Sequence, residues 1–308
     1  MELNTIRKKP RYFILLFLLP AVLIYGLFAV MPIINSMFMS LYTGEGLIPN
    51  EFVGFENYVK LFTASPFKER FLNAFINNIQ YFFMVLVFQN LGGFIIAILV
   101  TKKFIGSTFF RRVSFLPVTV SIFVSGWLFR ILFNPYLGIV DKILKAIGLD
   151  FLIRPWLGDA STILPIIAII ASWQYIGMLI LLYASGIDNM DSEVIEAAAI
   201  DGANQWGMVR HIIAPLLVAV FKIVLVLQFI GNFTGFALVY AVATTQGDPK
   251  HAADIFGTLY YRTAFASPAE GGWGTGMGAA VATIMFIFIG VVVLALLAAF
   301  RRKELLNN

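Results

Sequence analysis

Apolar residues in this chain come in blocks of about twenty or more. A block of that length is what a helix rising about 1.5 Å per residue needs to cross roughly 30 Å of hydrocarbon. Inside a bilayer each backbone N–H and C=O must find a partner without water, so blocks of this length and pattern fold as transmembrane helices. Composition agrees, with 60% of the residues hydrophobic and 13% charged, against about 25% charged in an ordinary soluble domain. The expected fold class is an all-α polytopic membrane protein of about six transmembrane helices.

Several chemistries are excluded at the outset. There is no cysteine, which rules out disulfides and thiolate metal sites, and the only histidines, His211 and His251, fall in different loops, so no metal site is expected. The net charge of +5 does not indicate nucleic acid. The basic residues gather at the ends of apolar blocks, where positive charge fixes topology, and form no stripe or tail.

Taken in order, a short tail (residues 1–11) carries Arg7, Lys8, Lys9 and Arg11 before the first expected span, residues 12–38. That span is too long for a signal peptide and lacks a small-residue cleavage site, so it reads as an uncleaved helix with a cytoplasmic N-terminus. The segment FENYVKLF that follows is either a short amphipathic helix at the outer surface, anchored by Phe55, Tyr58 and Phe62, or a plain loop. The remaining spans are expected at 74–100, 114–132, 163–184, 216–241 and 276–300, and residues 304–308 form a C-terminal tail beyond a single transmembrane domain, 12–303. Lys102, Lys103, Arg111 and Arg112 fix the loop after the second span inside, and Arg301, Arg302 and Lys303 do the same for the C-terminus. The third span is expected to end with Arg130 snorkelling to the outer interface, and a surface helix follows around Ile139, Ile143, Leu144 and Ile147. The stretch from Asp248 to Glu270 reads as an outer loop of mixed charge.

Between the fourth and fifth spans lies a polar loop, 187–215, with helix signals of its own. Asp191 or Ser192 can cap a helix start, Glu193 and Glu196 suit the positive end of its dipole, and Ala197, Ala198 and Ala199 are strong helix formers. Gly202 can take a positive φ and bend the chain before a second short helix near Asn204, and Pro215 fits the first turn of the next span. Five acidic residues, Asp188, Asp191, Glu193, Glu196 and Asp201, stand against Arg210. Anionic lipid would repel such a loop, so its expected contact is a basic or helix-terminus surface on a protein partner.

The loop resembles the EAA motif of the integral membrane subunits of ATP-binding-cassette importers. Glu196, Ala197, Ala198, Gly202, Ile212 and Pro215 match that pattern, with Asp201-Gly202-Ala203 similar to the version found in sugar importers. The likeness runs along nearly the whole chain. LPAVLIYGLFAVMPIINSMFMSL, FVGFENYVKLF, RRVSFLPVTVSIFVSGWLFRILFNPYLG, YYRTAF and GTGMGAAVATI all resemble segments of maltose-transporter-type sugar permeases. One departure is Thr244-Thr245-Gln246-Gly247-Asp248-Pro249, where that family has T-x-G-G-P.

The resemblance implies a type I ABC importer permease in a bacterial or archaeal cytoplasmic membrane, with both termini inside. It implies a second permease subunit forming a heterodimer, two ATP-binding subunits that carry ATP and magnesium, and an extracytoplasmic solute-binding protein. Membrane lipid surrounds the assembly. The chain has no phosphate-binding G-x-x-x-x-G-K-[S/T] loop, so it is not expected to be an enzyme or to bind a cofactor itself. Glu196, Ala197, Ala198, Asp201, Gly202, Arg210 and Pro215 are the expected coupling residues.

For the solute path, Gln228 and Asn232 share one helical face beside Phe229 and Phe233, a mixture of amides and rings suited to a sugar or polyol. The same residues could instead be helix–helix packing. Trp173, Gln174 and Asn90 are further candidates, and Asn90 sits among other buried-span amides, Asn77, Asn78, Gln80 and Gln89, that interhelical hydrogen bonding would equally explain. Two other functional classes are compatible with the spans alone: an ion-coupled secondary transporter, which calls for a buried charged relay, and a noncatalytic scaffold subunit.

Overall fold

The computed structural model describes residues 11–44, 49–102, 105–267 and 272–307. Arg7, Lys8, Lys9, Lys103 and Glu270 lie outside the described residues. The first span, α1 (Leu16–Met39), contains a π-helical turn at Gly26–Val30, and its most apolar stretch is 0% buried within the chain. A two-residue antiparallel pair, β1 (Tyr42–Thr43) with β2 (Glu51–Phe52), follows. The FENYVKLF segment is a helix, α2 (Glu56–Thr63). Its Asn57 is buried and its Nδ2 donates to the carbonyls of Ser40 and Tyr42, 2.9 Å each, so it closes the end of α1. Phe55 and Phe62 are exposed, whereas Tyr58 turns inward with its hydroxyl 2.6 Å from Ser40 Oγ.

The second span, α3 (Phe67–Thr101), starts one to two turns before the expected 74. It includes a second π-helical turn at Leu86–Leu91, which re-aims Gln89 and Asn90.

The third span is not the straight helix expected over 114–132. It is two helices, α4 (Ser107–Thr119) and α5 (Ile122–Leu132), bent by 97°. Pro117 contributes no N–H to the last turn of α4, and Val120 and Ser121 are extended. The carbonyls freed at the break are taken by Gln174, whose Nε2 donates to Pro117 O at 2.9 Å and Val120 O at 2.8 Å. After the surface helix α6 (Val140–Ala146) comes the central fourth span, α7 (Ile163–Asp188), with 67% of its apolar window buried inside the chain.

Helix α4 crosses α7 at Gly177. A Cβ there would lie 2.0 Å from the Ser114 carbonyl oxygen, so only glycine permits the crossing. Gly177→Ala is expected to push α4 off α7 and cost about 1–3 kcal/mol, read as a lower thermal midpoint of the purified protein. Gly290→Ala, whose added carbon meets nothing within 4 Å, serves as the neutral comparison.

Beyond α7 the polar loop forms α8 (Ser192–Ile200) and α9 (Gln205–Leu216), the latter with a π-helical turn at Val209–Ile213. The fifth span, α10 (Val218–Phe233), is bent 64° from α9 and stops at Phe233 instead of running to 241. Gly231 and Gly235 weaken the helix here, Thr234 Oγ1 turns back onto Ile230 O at 2.8 Å, and Phe236 is not helical (φ −139°). The chain resumes as α11 (Ala237–Ala243), which packs on α5.

The stretch expected to be an outer loop contains a buried helix, α12 (Phe256–Phe265), and the last span is α13 (Thr275–Asn307). Lys222 of α10 places its ammonium 5.5 Å from the Phe300 ring centre. Three apolar clusters hold the helices together. One joins α3, α7 and α11, a second joins α3, α10, α12 and α13 through aromatic rings, and a third joins the C-terminal ends of α3 and α7 to α9.

Candidate functional site

Two regions collect the candidate residues: the polar loop 187–215 at one end, and a cavity among α3, α7, α10 and α11. In the loop, Asp191 Oδ1 accepts from Glu193 N (3.1 Å), which satisfies one of the unpaired amides at the start of α8. Gly202 has φ +82°, and the Gly202 and Ala203 amides return to the carbonyls of Ala199 (3.1 Å) and Ala198 (3.0 Å), a double closure of the helix C-terminus. Asn204 Oδ1 then caps α9 through Gly207 N at 2.7 Å. Glu196, Ala197, Asp201, Gly202, Arg210 and Pro215 are exposed, and Ala198 is half-buried. Ile200 and Trp206 are 86% and 69% exposed, a large apolar area on an otherwise polar loop.

Two tethers on this loop were not foreseen. Arg111 pairs with Asp188 at 2.9 Å, and Lys102 Nζ donates to Gln205 Oε1 at 2.9 Å. The basic residues read as topology markers therefore also fasten the end of α7 to the start of α4 and α9 to the end of α3. Their charge complementarity to the acidic loop was the available signal.

The cavity holds about 490 Å³ and is lined by Gln89, Gln228 and Asn232, the rings of Tyr81, Tyr175 and Phe236, and aliphatic side chains, with no charged group in its wall. Its amides form one hydrogen-bonded chain. Tyr183 Oη donates to Asn90 Oδ1, Asn90 Nδ2 donates to Gln228 Oε1, Gln228 Nε2 donates to Gln89 Oε1 (2.7 Å), and Gln89 Nε2 ends on Ala171 O (3.0 Å). Asn232 Nδ2 donates to Gln228 O at 2.8 Å.

The sequence candidates separate accordingly. Gln228 and Asn232 reach the cavity wall. Asn90 is 6% exposed and stands behind Gln228 as a positioning partner. Phe229 and Phe233, expected beside the amides as stacking faces, turn into the core against Phe82, Phe256 and Phe288, because their positions lie about 100° around the helix from Gln228 and Asn232. Gln174 is committed to the break in the third span and Trp173 packs edge-on against Phe129 at 5.1 Å, so neither lines the cavity. Tyr81, Tyr175 and Phe236 complete the wall and were not singled out, together with Gln89, which was named only among the amides of the second span. Gln89 and Tyr81 share one helix, but the π-helical turn that brings Gln89 round leaves no mark in a regular periodicity.

The segment around α12 has a further feature that the sequence concealed. Asp254 and Arg262, assigned above to an outer loop of mixed charge, form an ion pair with both side chains 0% exposed. Arg262 Nη1 donates to Asp254 Oδ1 (3.1 Å) and Thr245 O (2.6 Å), and Thr258 Oγ1 donates to Asp254 Oδ1 (2.7 Å). Burial holds the Asp254 carboxyl above the usual carboxylate range, although the hydrogen bonds from Arg262 and Thr258 act to lower it. Asn77 Nδ2 donates to Asp254 O (3.0 Å), which joins the pair to α3.

A family model described as the binding-protein-dependent transport system inner membrane component matches residues 89–305. The chain belongs to that family. This inner-membrane component is 36% identical over 275 residues to the probable ABC transporter permease protein YurN of Bacillus subtilis, covering 88% of this chain and 90% of that one. It is 31% identical over 290 residues to the multiple sugar-binding transport system permease protein MsmF of Streptococcus mutans, covering 94% and 95%. A solved bacterial alginate ABC transporter, in complex with an alginate pentasaccharide-bound periplasmic protein, contains a chain that superposes with a TM-score of 0.80 at 22% identity, covering 95% of each. At that identity the likeness establishes the fold, an all-α multi-pass permease. The loop 187–215 and all of the cavity wall except Tyr81 fall within the matched residues.

Proposed function

We propose that this permease passes a neutral sugar or related polyol, driven by ATP hydrolysis on a separate subunit that grips the 187–215 loop. The observation that carries the solute class is the cavity wall: three amides and three aromatic rings with no charged side chain. Rings stack on the C–H faces of a sugar and amides exchange hydrogen bonds with its hydroxyls, whereas an ionic solute would leave its charge unpaired in such a wall. The curated relative MsmF, described as a multiple sugar-binding transport permease, supports this reading. The partners are a second, distinct permease chain, two ATP-binding subunits carrying ATP and magnesium, and an extracytoplasmic solute-binding protein. This arrangement places both termini and the 187–215 loop on the cytoplasmic side.

The chain's own part is mechanical. Closure of the ATP-binding subunits would press on Glu196, Ile200 and Trp206, and the tethers Arg111–Asp188 and Lys102–Gln205 would carry that movement into α3 and α4. An exposed ion pair contributes only about 0–1 kcal/mol, so the exposed apolar area of Ile200 and Trp206, once covered by the ATP-binding subunit, supplies most of the grip.

Gln228 tests the solute site. Gln228→Ala removes a hydrogen-bonding group from the wall and leaves Asn90 and Gln89 without their partner. Saccharide uptake by the reconstituted complex is expected to fall about tenfold, the equivalent of about 1.4 kcal/mol. Uptake at the wild-type rate would remove Gln228 from the site.

A further inference from the structure

Five aromatic side chains on α5, α11 and α12, and at the break before α11, form a row that leaves the cavity instead of filling the core. Phe265 meets Tyr261 at 5.4 Å between ring centres, Tyr261 meets Phe236 at 4.9 Å, Phe236 stacks on Tyr240 at 5.1 Å, and Tyr240 meets Phe123 at 6.1 Å. Phe236 is itself part of the cavity wall, as is Ile122, the neighbour of Phe123. The other four side chains are partly exposed, at 51% for Phe265, 38% for Tyr261, 39% for Tyr240 and 48% for Phe123. The contrast with Phe82, Phe229, Phe233 and Phe256, all buried in one aromatic cluster, is the starting point.

Building on the carbohydrate reading above, we infer that this row is a stacking track for sugar rings at the mouth of the cavity, occupied in transit between the binding protein and the amide site. Touching rings lie 4.9–6.1 Å apart between centres, so a sugar unit that leaves one ring meets the next at once. Two of the five rings are tyrosines, which add hydroxyls at the edge of the stack where sugar hydroxyls need partners. Lipid-facing aromatics sit as separate anchors at the depth of the headgroups. This row is continuous across three helices and meets the wall of the solute cavity at its middle ring, Phe236, so that each arm leads to the cavity. Its energetic demand is modest: each stacked contact is weak enough to release.

The test uses the intact complex with its binding protein in ATP-loaded proteoliposomes and a panel of radiolabelled neutral saccharides of one to five units. Tyr261→Ala and Phe265→Ala are expected to lower uptake of the transported saccharide about fivefold, more for longer saccharides, with all subunits still copurifying. Tyr261→Phe, which keeps the ring, is expected to stay within about twofold of wild type. Alanine variants that import as well as wild type would overturn the track. So would loss of the second permease chain from the Tyr261→Ala complex, which would make the row a subunit contact, or quenching of Tyr261→Trp fluorescence by brominated lipid, which would make it a lipid face. A wild-type complex that imports none of the panel would instead refute the carbohydrate reading itself, and the track with it.

Discussion

Gly202→Val is expected to abolish solute-driven transport while the protein still reaches the membrane. The Gly202 backbone lies at φ +82°, a conformation that costs an L-residue about 1–2 kcal/mol and a β-branched one more. A Cβ there meets nothing within 4 Å, so the substitution does not disturb the packing of the spans. Its effect is confined to the bend, where the returning amides of Gly202 and Ala203 set the angle between α8 and α9. Re-angling these short helices misplaces Glu196, Ile200 and Trp206 relative to each other, and with them the surface offered to the ATP-binding subunit. Solute-stimulated ATP hydrolysis by the purified complex is expected to drop by tenfold or more, on the order of 1.4 kcal/mol of lost coupling. Stimulation at the wild-type level in a folded Gly202→Val complex would mean that the bend plays no part in coupling.

The largest effect on stability is expected at the buried pair of Asp254 and Arg262. Arg262→Met leaves the Asp254 carboxylate, 0% exposed, without its guanidinium, and loss of one partner of a buried pair costs about 3–5 kcal/mol. Thermal unfolding in detergent should show a marked fall in midpoint. The double variant Asp254→Leu with Arg262→Met removes both charges and should recover most of that loss, since a well-packed apolar pair in the same place is often as stable. A single variant as stable as wild type would contradict the burial described for this pair. The ion-coupled alternative needs a charged group free to change partners. Asp254 and Arg262 are instead fixed to each other, to Thr258 and to the Thr245 carbonyl, an arrangement that holds a loop in place.

Much of this protein is legible from its residues because the bilayer imposes simple rules. Length and hydropathy lead directly to an all-α multi-pass fold, and α8, the Gly202 turn and the cap at Asn204 follow from local backbone chemistry that tertiary contacts did not override. The breaks in the third and fifth spans were hidden for a different reason. Pro117 is compatible with either a straight or a broken helix, and what decides is Gln174, more than fifty residues away in sequence, offering its amide to the freed carbonyls. Phe229 and Phe233 had a composition suited to solute binding, yet a helix presents adjacent residues to different surroundings, and only the packing of Phe82 and Phe288 shows which side is core. Asp254 and Arg262 read as loop charges because charge is normally solvated, and their burial depends on a helix whose apolar run is too short to signal a span.

The central claim is that this permease couples carbohydrate passage through its own cavity to ATP hydrolysis on a partner that holds the 187–215 loop. The most direct measurement is saccharide uptake into proteoliposomes containing the complete complex and its binding protein, with and without internal ATP, for wild type and Gly202→Val. Uptake by wild type that requires both ATP and the binding protein, and is absent with Gly202→Val, is the predicted result. Uptake that proceeds without ATP under an ion gradient, or that survives in Gly202→Val at the wild-type rate, would contradict it.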